Sequence, residues 1–335
     1  MDRVNIGLVG CGAFGESHLQ GFRAVPSARI AAVFDADKER ARRIAAEFSI
    51  PRICESLEQI CTLPELDAID VVTPEQMHLE PVRTALASGK HVFVEKPMAT
   101  SLADCTAMIE AASAAGRFLM VGHILRFETK YAMMKDEISA GRLGTTVSMH
   151  ARRNRPKSLL PVYGRTHPAL INSIHDVDLM LWYVGQPVRR VRGYQRHATG
   201  GKYPETFWGI IEFEGGAIGV AETIWMMPTN AGVFLDDAFQ FIGTAGVANL
   251  QLHPATFVIL RESGYQIPDV SYDPRVGGAA HGALRDELAY FCECVLLNRA
   301  PEVVTAVAAK RAVRVVLALI ESAEAGRDVE IGEWD

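Results

Sequence analysis

The sequence lacks the features that would place the protein in several specialised classes. No apolar run approaches the length of a membrane span, and the six cysteines form no C-x-x-C pair and no zinc-type spacing with histidine. A formal net charge of −6 gives no general attraction to nucleic acid. We therefore expect a cytoplasmic protein without a signal peptide, with free thiols, no metal site, and neither a membrane nor a nucleic acid as partner.

Length and patterning indicate two domains of the α/β class. The 335 residues exceed the usual range of a single domain, and the apolar fraction of 49% is sufficient for ordinary cores. Strand-like and helical segments alternate as far as residue 122, which is typical of a doubly wound parallel sheet. The remaining chain, 123–335, begins with a linking helix and continues with turn-bounded strands, which predicts an extended, mostly antiparallel sheet.

The stretch GLVGCGAFG follows an apolar run and precedes a helical segment. A lone G-x-G-x-x-G is common by chance, but strand, glycine loop and helix in this order are typical of a dinucleotide site. Gly10 would permit a tight turn, Gly12 would let backbone approach a pyrophosphate, and Gly15 would let the helix pack closely on the strand. The start of the helix, at Ala13 and Phe14, would face the phosphates.

A carboxylate closes the second predicted strand, about 20 residues after the glycine loop. In the stretch VFDAD this residue is Asp35, which we predict to bind the adenosine ribose hydroxyls. It would repel the 2′-phosphate of NADP, so it favours NAD as cofactor. Arg40, Arg42 and Arg43 follow closely and leave NADP open, although a solvated helix face is the simpler interpretation of these arginines.

Further candidates follow two later predicted strands, because open parallel sheets bind ligands at the carboxyl ends of their strands. TPEQMH supplies Thr73, Pro74 and His78, and EKP supplies Glu95 and Lys96. We predict that these residues bind the cofactor, and that Lys96 also holds a substrate oxygen. A surface Lys-Pro turn is the alternative interpretation of EKP.

One helix interrupts the strands of the second domain and contains HDVDLMLW. His175 suits proton exchange with a hydroxyl, whereas capping or packing at a helix start is the alternative. We interpret Asp176 and Asp178 as residues of the first helical turn, where carboxylates favour the helix dipole.

Basic residues are concentrated just ahead of this helix, in HARRNRPKSLLPVYGRTH. Strand alternation would put Arg153 and Arg155 on one face and Arg152 on the other. If Arg153, Arg155 and Arg165 face the substrate, they predict an anionic sugar, because guanidinium groups bind oxyanions in bidentate fashion. A solvated or subunit-contact loop is the alternative. Arg126 is a further candidate substrate-binding residue.

The chain resembles the Gfo/Idh/MocA oxidoreductases, named for glucose-fructose oxidoreductase and inositol 2-dehydrogenase. The resemblance covers essentially the whole chain and rests on GLVGCGAFG, VFDAD, VVTPEQMH, ASGKHVFVEKPMA, SIHDVDLMLWYVG and ALIESAEAGRDVEI, in this order. It implies an N-terminal Rossmann domain, a C-terminal α/β domain with a large open-faced sheet, and a substrate cleft between them. It also implies pairing through that sheet into a homodimer or homotetramer.

The resemblance further implies an NAD(P)-dependent dehydrogenase for a secondary alcohol of a sugar, polyol or sugar acid. The family's lysine falls on Lys96 and its histidine on His175, whereas its usual aspartate, four residues before the histidine, is replaced by Ile171 with Asn172 adjacent. Asparagine can orient a hydroxyl but cannot accept a proton at neutral pH. If a loop one residue shorter brings Asn172 into the aspartate position, Asn172 is the third catalytic-site residue; otherwise that group is absent. A glycosidase that uses NAD transiently and a sugar-sensing binding protein without turnover are the alternatives.

Overall fold

The computed structural model describes residues 3–229, 235–252, 257–261, 264–332 and 334. The chain divides into two compact units, Met1–Thr129 with Asp269–Lys310 and Lys130–Pro268 with Arg311–Asp335. Asp269–Lys310 follows the strands of the second unit in sequence yet packs in the first unit, an arrangement that a single boundary at residue 122 does not predict. Among the described residues, no helix is both long and apolar enough to cross a membrane.

Strands and helices alternate in the first part of the chain. They are β1 (Val4–Val9), α1 (Ala13–Arg23), β2 (Ala28–Phe34), α2 (Lys38–Phe48), β3 (Arg52–Ile53), α3 (Leu57–Cys61), β4 (Ala68–Val71), α4 (Leu79–Ala87), β5 (His91–Glu95), α5 (Leu102–Ala115) and β6 (Leu119–Gly122). The six strands form one parallel sheet in the order β3-β2-β1-β4-β5-β6, which confirms the predicted doubly wound sheet. Strands β4, β5 and β6 are buried throughout, as expected of strands covered on both faces.

The rest of the chain is richer in strands. Its elements are α6 (Thr129–Ser139), β7 (Thr146–Asn154), α7 (Leu160–Tyr163), α8 (Ile174–Val184), β8 (Val188–Arg196), β9 (Thr206–Phe213), β10 (Ile218–Ile224), β11 (Asp236–Gly243), β12 (Val247–Gln251), β13 (Ile259–Arg261), β14 (Gly264–Gln266), β15 (Arg275–Val276), β16 (Ala279–Ala280), α9 (Ala283–Leu296), α10 (Ala306–Ala325) and β17 (Val329–Glu330). The predicted strand ATFVIL starts at residues 255 and 256, which lie outside the described residues.

A seven-stranded sheet dominates the second unit, in the order β12-β11-β7-β10-β9-β8-β17. Strands β7 and β10 pair in parallel and the other neighbours pair antiparallel, so the predicted mostly antiparallel sheet is confirmed. Helix α8 contacts β7 and β10 on one face, where Phe207 and Ile211 are buried. On the other face Trp208 and Ile218 are exposed, as period-two alternation requires.

All six cysteines are free and buried, as the sequence predicted. Burial raises the pKa of the Cys105 thiol to about 12, which keeps it protonated at neutral pH. The thiols therefore act as small apolar side chains of the core.

Candidate active site

The glycine loop between β1 and α1 has two glycines that the fold itself requires and one that it does not. Gly10 has φ +103°, and a Cβ there would lie 2.6 Å from the Val72 carbonyl oxygen. A Cβ on Gly15 would lie 2.2 Å from the Gly10 oxygen, so helix and loop could not approach as they do. A Cβ on Gly12 would meet no protein atom within 4 Å. The space beside Gly12 is therefore open to a ligand.

Gly12 is also the N-cap of α1, and no side chain caps this helix. Ala13 and Phe14, the first two helical residues, are exposed. Uncapped N–H groups and the positive end of a helix dipole form a site for an anion. The loop thus fits the pyrophosphate of a dinucleotide.

Asp35, directly after β2, is fixed against the glycine loop. Its Oδ2 accepts the Cys11 N–H at 2.7 Å and its Oδ1 accepts the Asp37 N–H at 2.8 Å. Arg40 Nη1 lies 3.4 Å from Oδ1, so the nearest of the three arginines is paired with this carboxylate. The negative charge at the predicted ribose position fits NAD.

The other two arginines of α2 pair with carboxylates of their own helix. Arg42 contacts Glu39, and Arg43 Nη1 lies 3.3 Å from Glu47 Oε2. The partners in each pair lie one helical turn apart, and all four side chains are at least 46% exposed. They agree with a solvated helix face.

His78, predicted to bind the cofactor, lies inside the protein with 1% of its surface exposed. Its Nε2 is 2.9 Å from the Thr73 carbonyl oxygen, and its Nδ1 is 3.1 Å from that of Pro97 and 3.2 Å from that of Met98. Burial lowers the pKa of His78. The ring therefore joins the turn after β4, where Pro74 is exposed, to the turn after β5.

Lys96 follows directly after β5 and is partly exposed, with a cis peptide bond to Pro97. Glu95 is 6% exposed, and its Oε2 accepts the Lys96 backbone N–H at 3.0 Å. The Glu95 Oε1 lies 3.2 Å from His18 Nε2. The side chain of Glu95 thus points into the protein, and Lys96 is the more accessible residue of the pair.

His18 and Asp70 were not predicted from the sequence to belong to the site. His18 Nδ1 lies 2.9 Å from Asp70 Oδ2, and both side chains are fully buried. Burial alone lowers the pKa of His18, but the carboxylates of Asp70 and Glu95 outweigh it and raise the pKa to about 10. The sequence nevertheless contained a signal for this buried pair. Asp70 is a charged residue within the buried strand β4, and His18 lies three residues after Gly15 on the buried face of α1.

In the second unit, His175 lies in the first turn of α8 and is partly exposed. The turn ahead of it, Ala169–Ser173, is π-helical, a rare form that is frequent at functional sites. Asn172 in this turn is 4% exposed, and its Nδ2 donates to the Arg153 carbonyl and to Thr223 Oγ1, each at 2.9 Å. The side chain of Asn172 is thereby held in one position.

Arg153 and Arg155, predicted to bind substrate, are buried in ion pairs. Arg153 Nη2 lies 2.8 Å from Asp176 Oδ1 and its Nη1 lies 2.6 Å from Asp237 Oδ2, while Arg155 also contacts Asp237. All four side chains are at most 9% exposed. These guanidinium groups are matched by protein carboxylates and hold the start of α8.

The strand alternation predicted around these arginines is confirmed, since Arg152 pairs with Asp236 on the other face at 2.9 Å. Arg165 is exposed, and its Nη1 donates to the Val162 carbonyl at 2.7 Å. Arg126 belongs to the first unit and is buried, with its Nη1 2.7 Å from the Val303 carbonyl oxygen. Arg165 is therefore the one predicted substrate-binding arginine whose side chain is exposed.

Each unit thus gathers part of the predicted site. The first brings together the glycine loop with Asp35, and the turns after β4 and β5 with Lys96. The second brings together Asn172 and His175.

Comparison with known proteins agrees with this geometry. The model of an oxidoreductase family with an NAD-binding Rossmann fold, GFO/IDH/MocA, matches residues 4–123, and the model of the GFO/IDH/MocA C-terminal domain matches residues 131–249. The chain belongs to the GFO/IDH/MocA oxidoreductase family.

Two relatives and one solved structure illustrate the similarity. Inositol 2-dehydrogenase 2 of Saccharopolyspora erythraea is 30% identical over 81% of this chain and 80% of its own length. The scyllo-inositol 2-dehydrogenase (NAD(+)) of Bacillus subtilis is 29% identical over 98% and 96%. The crystal structure of scyllo-inositol dehydrogenase from Lactobacillus casei with bound NAD(H) and scyllo-inositol has a TM-score of 0.83 at 20% identity, covering 99% of this chain and all of that one. At this level of identity, the similarity to the solved structure shows a shared fold.

Proposed function

We propose that the protein is an NAD-dependent dehydrogenase that oxidises a secondary hydroxyl group of a neutral cyclic polyol of the inositol class. One observation carries the proposal. Lys96 is partly exposed at the carboxyl end of β5, in the same sheet whose β1 and β2 ends hold Gly12 and Asp35. A cation at that edge is suited to hold a substrate oxygen beside a bound dinucleotide. Both inositol dehydrogenase relatives support the substrate class.

In the proposed reaction, His175 accepts the proton of the substrate hydroxyl as general base. Lys96, as an ammonium, donates a hydrogen bond to the same oxygen and stabilises the alkoxide charge that develops on it. Bound NAD supplies the acceptor for the hydride that leaves the carbinol carbon. The proposal requires Lys96 and His175 to reach one substrate oxygen at the same time during turnover.

We assign Asn172 to substrate orientation. Its amide nitrogen already donates two hydrogen bonds to the protein, and within the described residues its Oδ1 accepts none. An amide oxygen in this state can accept a hydrogen bond from a second substrate hydroxyl, and it cannot take up a proton at neutral pH. Proton transfer therefore rests on His175 in this proposal.

The buried ion pairs favour a neutral substrate over an anionic one. Arg153 and Arg155 are already matched by Asp176 and Asp237, so their charge is not available to a ligand. Of the arginines predicted to bind substrate, only Arg165 is exposed and could select a uronate or a sugar phosphate.

The test is the near-ultraviolet absorbance of NADH when purified protein and NAD meet myo-inositol, scyllo-inositol, neutral sugars, a uronate and a sugar phosphate. We expect a rise with a neutral cyclic polyol. Lys96→Ala should lower kcat by about 10²- to 10⁴-fold, the usual share of a positioned acid–base group, and leave the Kd for NAD nearly intact. Lys310→Ala, a lysine of α10, serves as the matched control and should keep wild-type turnover.

Other results would reject the proposal. Wild-type turnover in Lys96→Ala would remove the assigned role of this lysine. Release of an aglycone from a glycoside without net NADH would instead support a glycosidase with transient oxidation. Sugar binding without any turnover would support a sensor, a role that has no need of a proton-transfer pair.

We further propose that the exposed sheet face of the second unit pairs with a second copy of the chain. Trp208, Ile218, Tyr194 and Val247 are between 37% and 54% exposed there, and a large exposed apolar patch is typical of a protein–protein interface. Light scattering coupled to gel filtration should give a dimer or tetramer, and Trp208→Glu should lower the mass. A monomeric wild type would contradict this assignment.

A further inference from the structure

Two carboxylates and one histidine are buried directly beneath the turn that holds Lys96. His18 lies between Asp70 and Glu95, with one ring nitrogen 2.9 Å from the first and the other 3.2 Å from the second. The contact with Asp70 is a hydrogen bond, whereas the contact with Glu95 has the distance of an ion pair without hydrogen-bond geometry. The geometry is that of an imidazolium held between two anions.

Such a cluster is costly to keep inside a parallel sheet. Buried charges lose their hydration, and apolar residues of similar size are often at least as stable in their place. The aromatic rings of Phe14 and Phe93 also contact His18 edge-on, with centroids at 5.0 and 5.8 Å, so the site is largely apolar around the charges. General stability is therefore a weak explanation for His18, and a positional role is a better one.

The cluster leads directly to Lys96. One oxygen of Glu95 faces His18 and the other accepts the Lys96 N–H at 3.0 Å. Gly122 on the neighbouring strand makes room for this carboxylate, because a Cβ there would lie 2.5 Å from Glu95 Oε1. Glu95 is thus fixed on both oxygens, and the Lys96 peptide is fixed by Glu95.

We propose that His18 is a positioning residue for Lys96. By holding Glu95 it fixes the Lys96 amide, and so determines where the lysine side chain leaves the end of β5. The significance for catalysis rests on the proposed function, in which Lys96 binds the substrate oxygen. The mechanical claim rests on the ion-pair contact of His18 with Glu95 and on the hydrogen bond of Glu95 with the Lys96 amide, and it is open to measurement without substrate.

The measurement is amide hydrogen exchange in His18→Gln, resolved by NMR at the single residues Lys96 and Val94. We expect the Lys96 amide to exchange about tenfold faster or more, as for loss of a hydrogen bond to a charged group. The Val94 amide, in the same strand and in register with Val121, should keep its wild-type rate. His91→Gln is the matched control, because His91 is another buried histidine of the first unit and its Nδ1 accepts the Phe118 N–H. It should leave the Lys96 amide unchanged.

An unchanged Lys96 rate in folded His18→Gln overturns the proposal. Equal acceleration at Lys96 and Val94 also overturns it, because that result reports a general loosening of the sheet. If His18→Gln does not fold, His18→Leu decides: an apolar side chain of similar size removes the contact with Glu95 without introducing a polar group, so faster exchange at Lys96 alone is expected and an unchanged rate rejects the role. Failure of the dehydrogenase proposal is distinguishable, since it would leave the exchange result standing while no polyol is oxidised.

Discussion

The two units contain buried charge clusters of similar design and different chemistry. In the first, the His18 ring lies between two carboxylates, and in the second the Arg153 guanidinium does so. Each cluster adjoins a residue proposed to be catalytic, through Glu95 and Lys96 in one and through Asp176 and His175 in the other. A buried cation between two anions is thus used twice to fix the segment that carries a functional side chain.

The difference lies in whether the central cation can lose its proton. A guanidinium stays charged at any pH at which the protein is folded, whereas an imidazolium does not. Arg155 adds a second cation to the cluster of Arg153, so two arginines face Asp176 and Asp237. The central cation of the Arg153 cluster should therefore respond to mutation but not to pH, and that of the His18 cluster to both.

The largest expected effect comes from breaking the arginine cluster. Arg153→Met leaves Asp176 buried without its bidentate partner and should lower the free energy of unfolding by about 3–5 kcal/mol. Urea unfolding measures it. The control is Arg152→Met, one residue away on the opposite face, whose ion pair with Asp236 is partly solvated and should be worth less than about 1 kcal/mol. An equal loss of unfolding free energy in the two variants would contradict the larger contribution that we assign to the buried ion pairs.

The second prediction concerns the pH dependence of stability, which should come from the His18 cluster. The folded-state pKa of His18, about 10, lies above its ordinary 6.5, so its contribution is present in full below pH 6.5 and is lost as pH rises towards 10. The free energy of unfolding should fall between pH 6.5 and 9 by at most about 1.4 kcal/mol per pH unit. The raised pKa of Asp70, caused by burial, acts in the same direction, because it too makes the folded state lose stability as pH rises.

His18→Gln should flatten this slope, and Arg153→Met should keep it. The comparison stops at pH 9 because buried thiols such as Cys11, with a pKa raised to about 12 by burial and by Asp35, destabilise every variant above their ordinary value of 9.0. A slope that persists in His18→Gln would show that another group titrates, and would remove the basis for treating the two clusters differently.

The fold and the residues at the ends of the strands could be predicted from the sequence, whereas the buried charge clusters could not. The glycine loop, Asp35 and Lys96 follow strands directly, so their position is determined by local order along the chain. The pairing of His18 with Asp70 and Glu95 joins three elements, and a partner 52 residues away along the chain has no local signature. What the sequence did show was a charged residue inside the buried strand β4.

The arginines illustrate the opposite error. Alternation correctly put Arg153 and Arg155 on one face, but it could not tell whether that face meets substrate or core. The deciding partner, Asp237, lies on β11, which pairs with β7 across a separation of 84 residues. Charge excess in a short stretch of sequence therefore says little until the acidic residues of the neighbouring strand are known.

The smallest effect expected on stability concerns the room left for Glu95. Gly122→Ala puts a Cβ 2.5 Å from Glu95 Oε1 and should cost about 1–3 kcal/mol, because a carboxylate held by His18 cannot simply rotate away. It should also flatten part of the pH slope, since displaced Glu95 no longer faces the imidazolium. Gly12→Ala is the matched control: its Cβ meets no protein atom within 4 Å, so stability should hardly change while the Kd for NAD rises. Should Gly122→Ala keep the full slope, Glu95 would not be the partner through which His18 acts on Lys96.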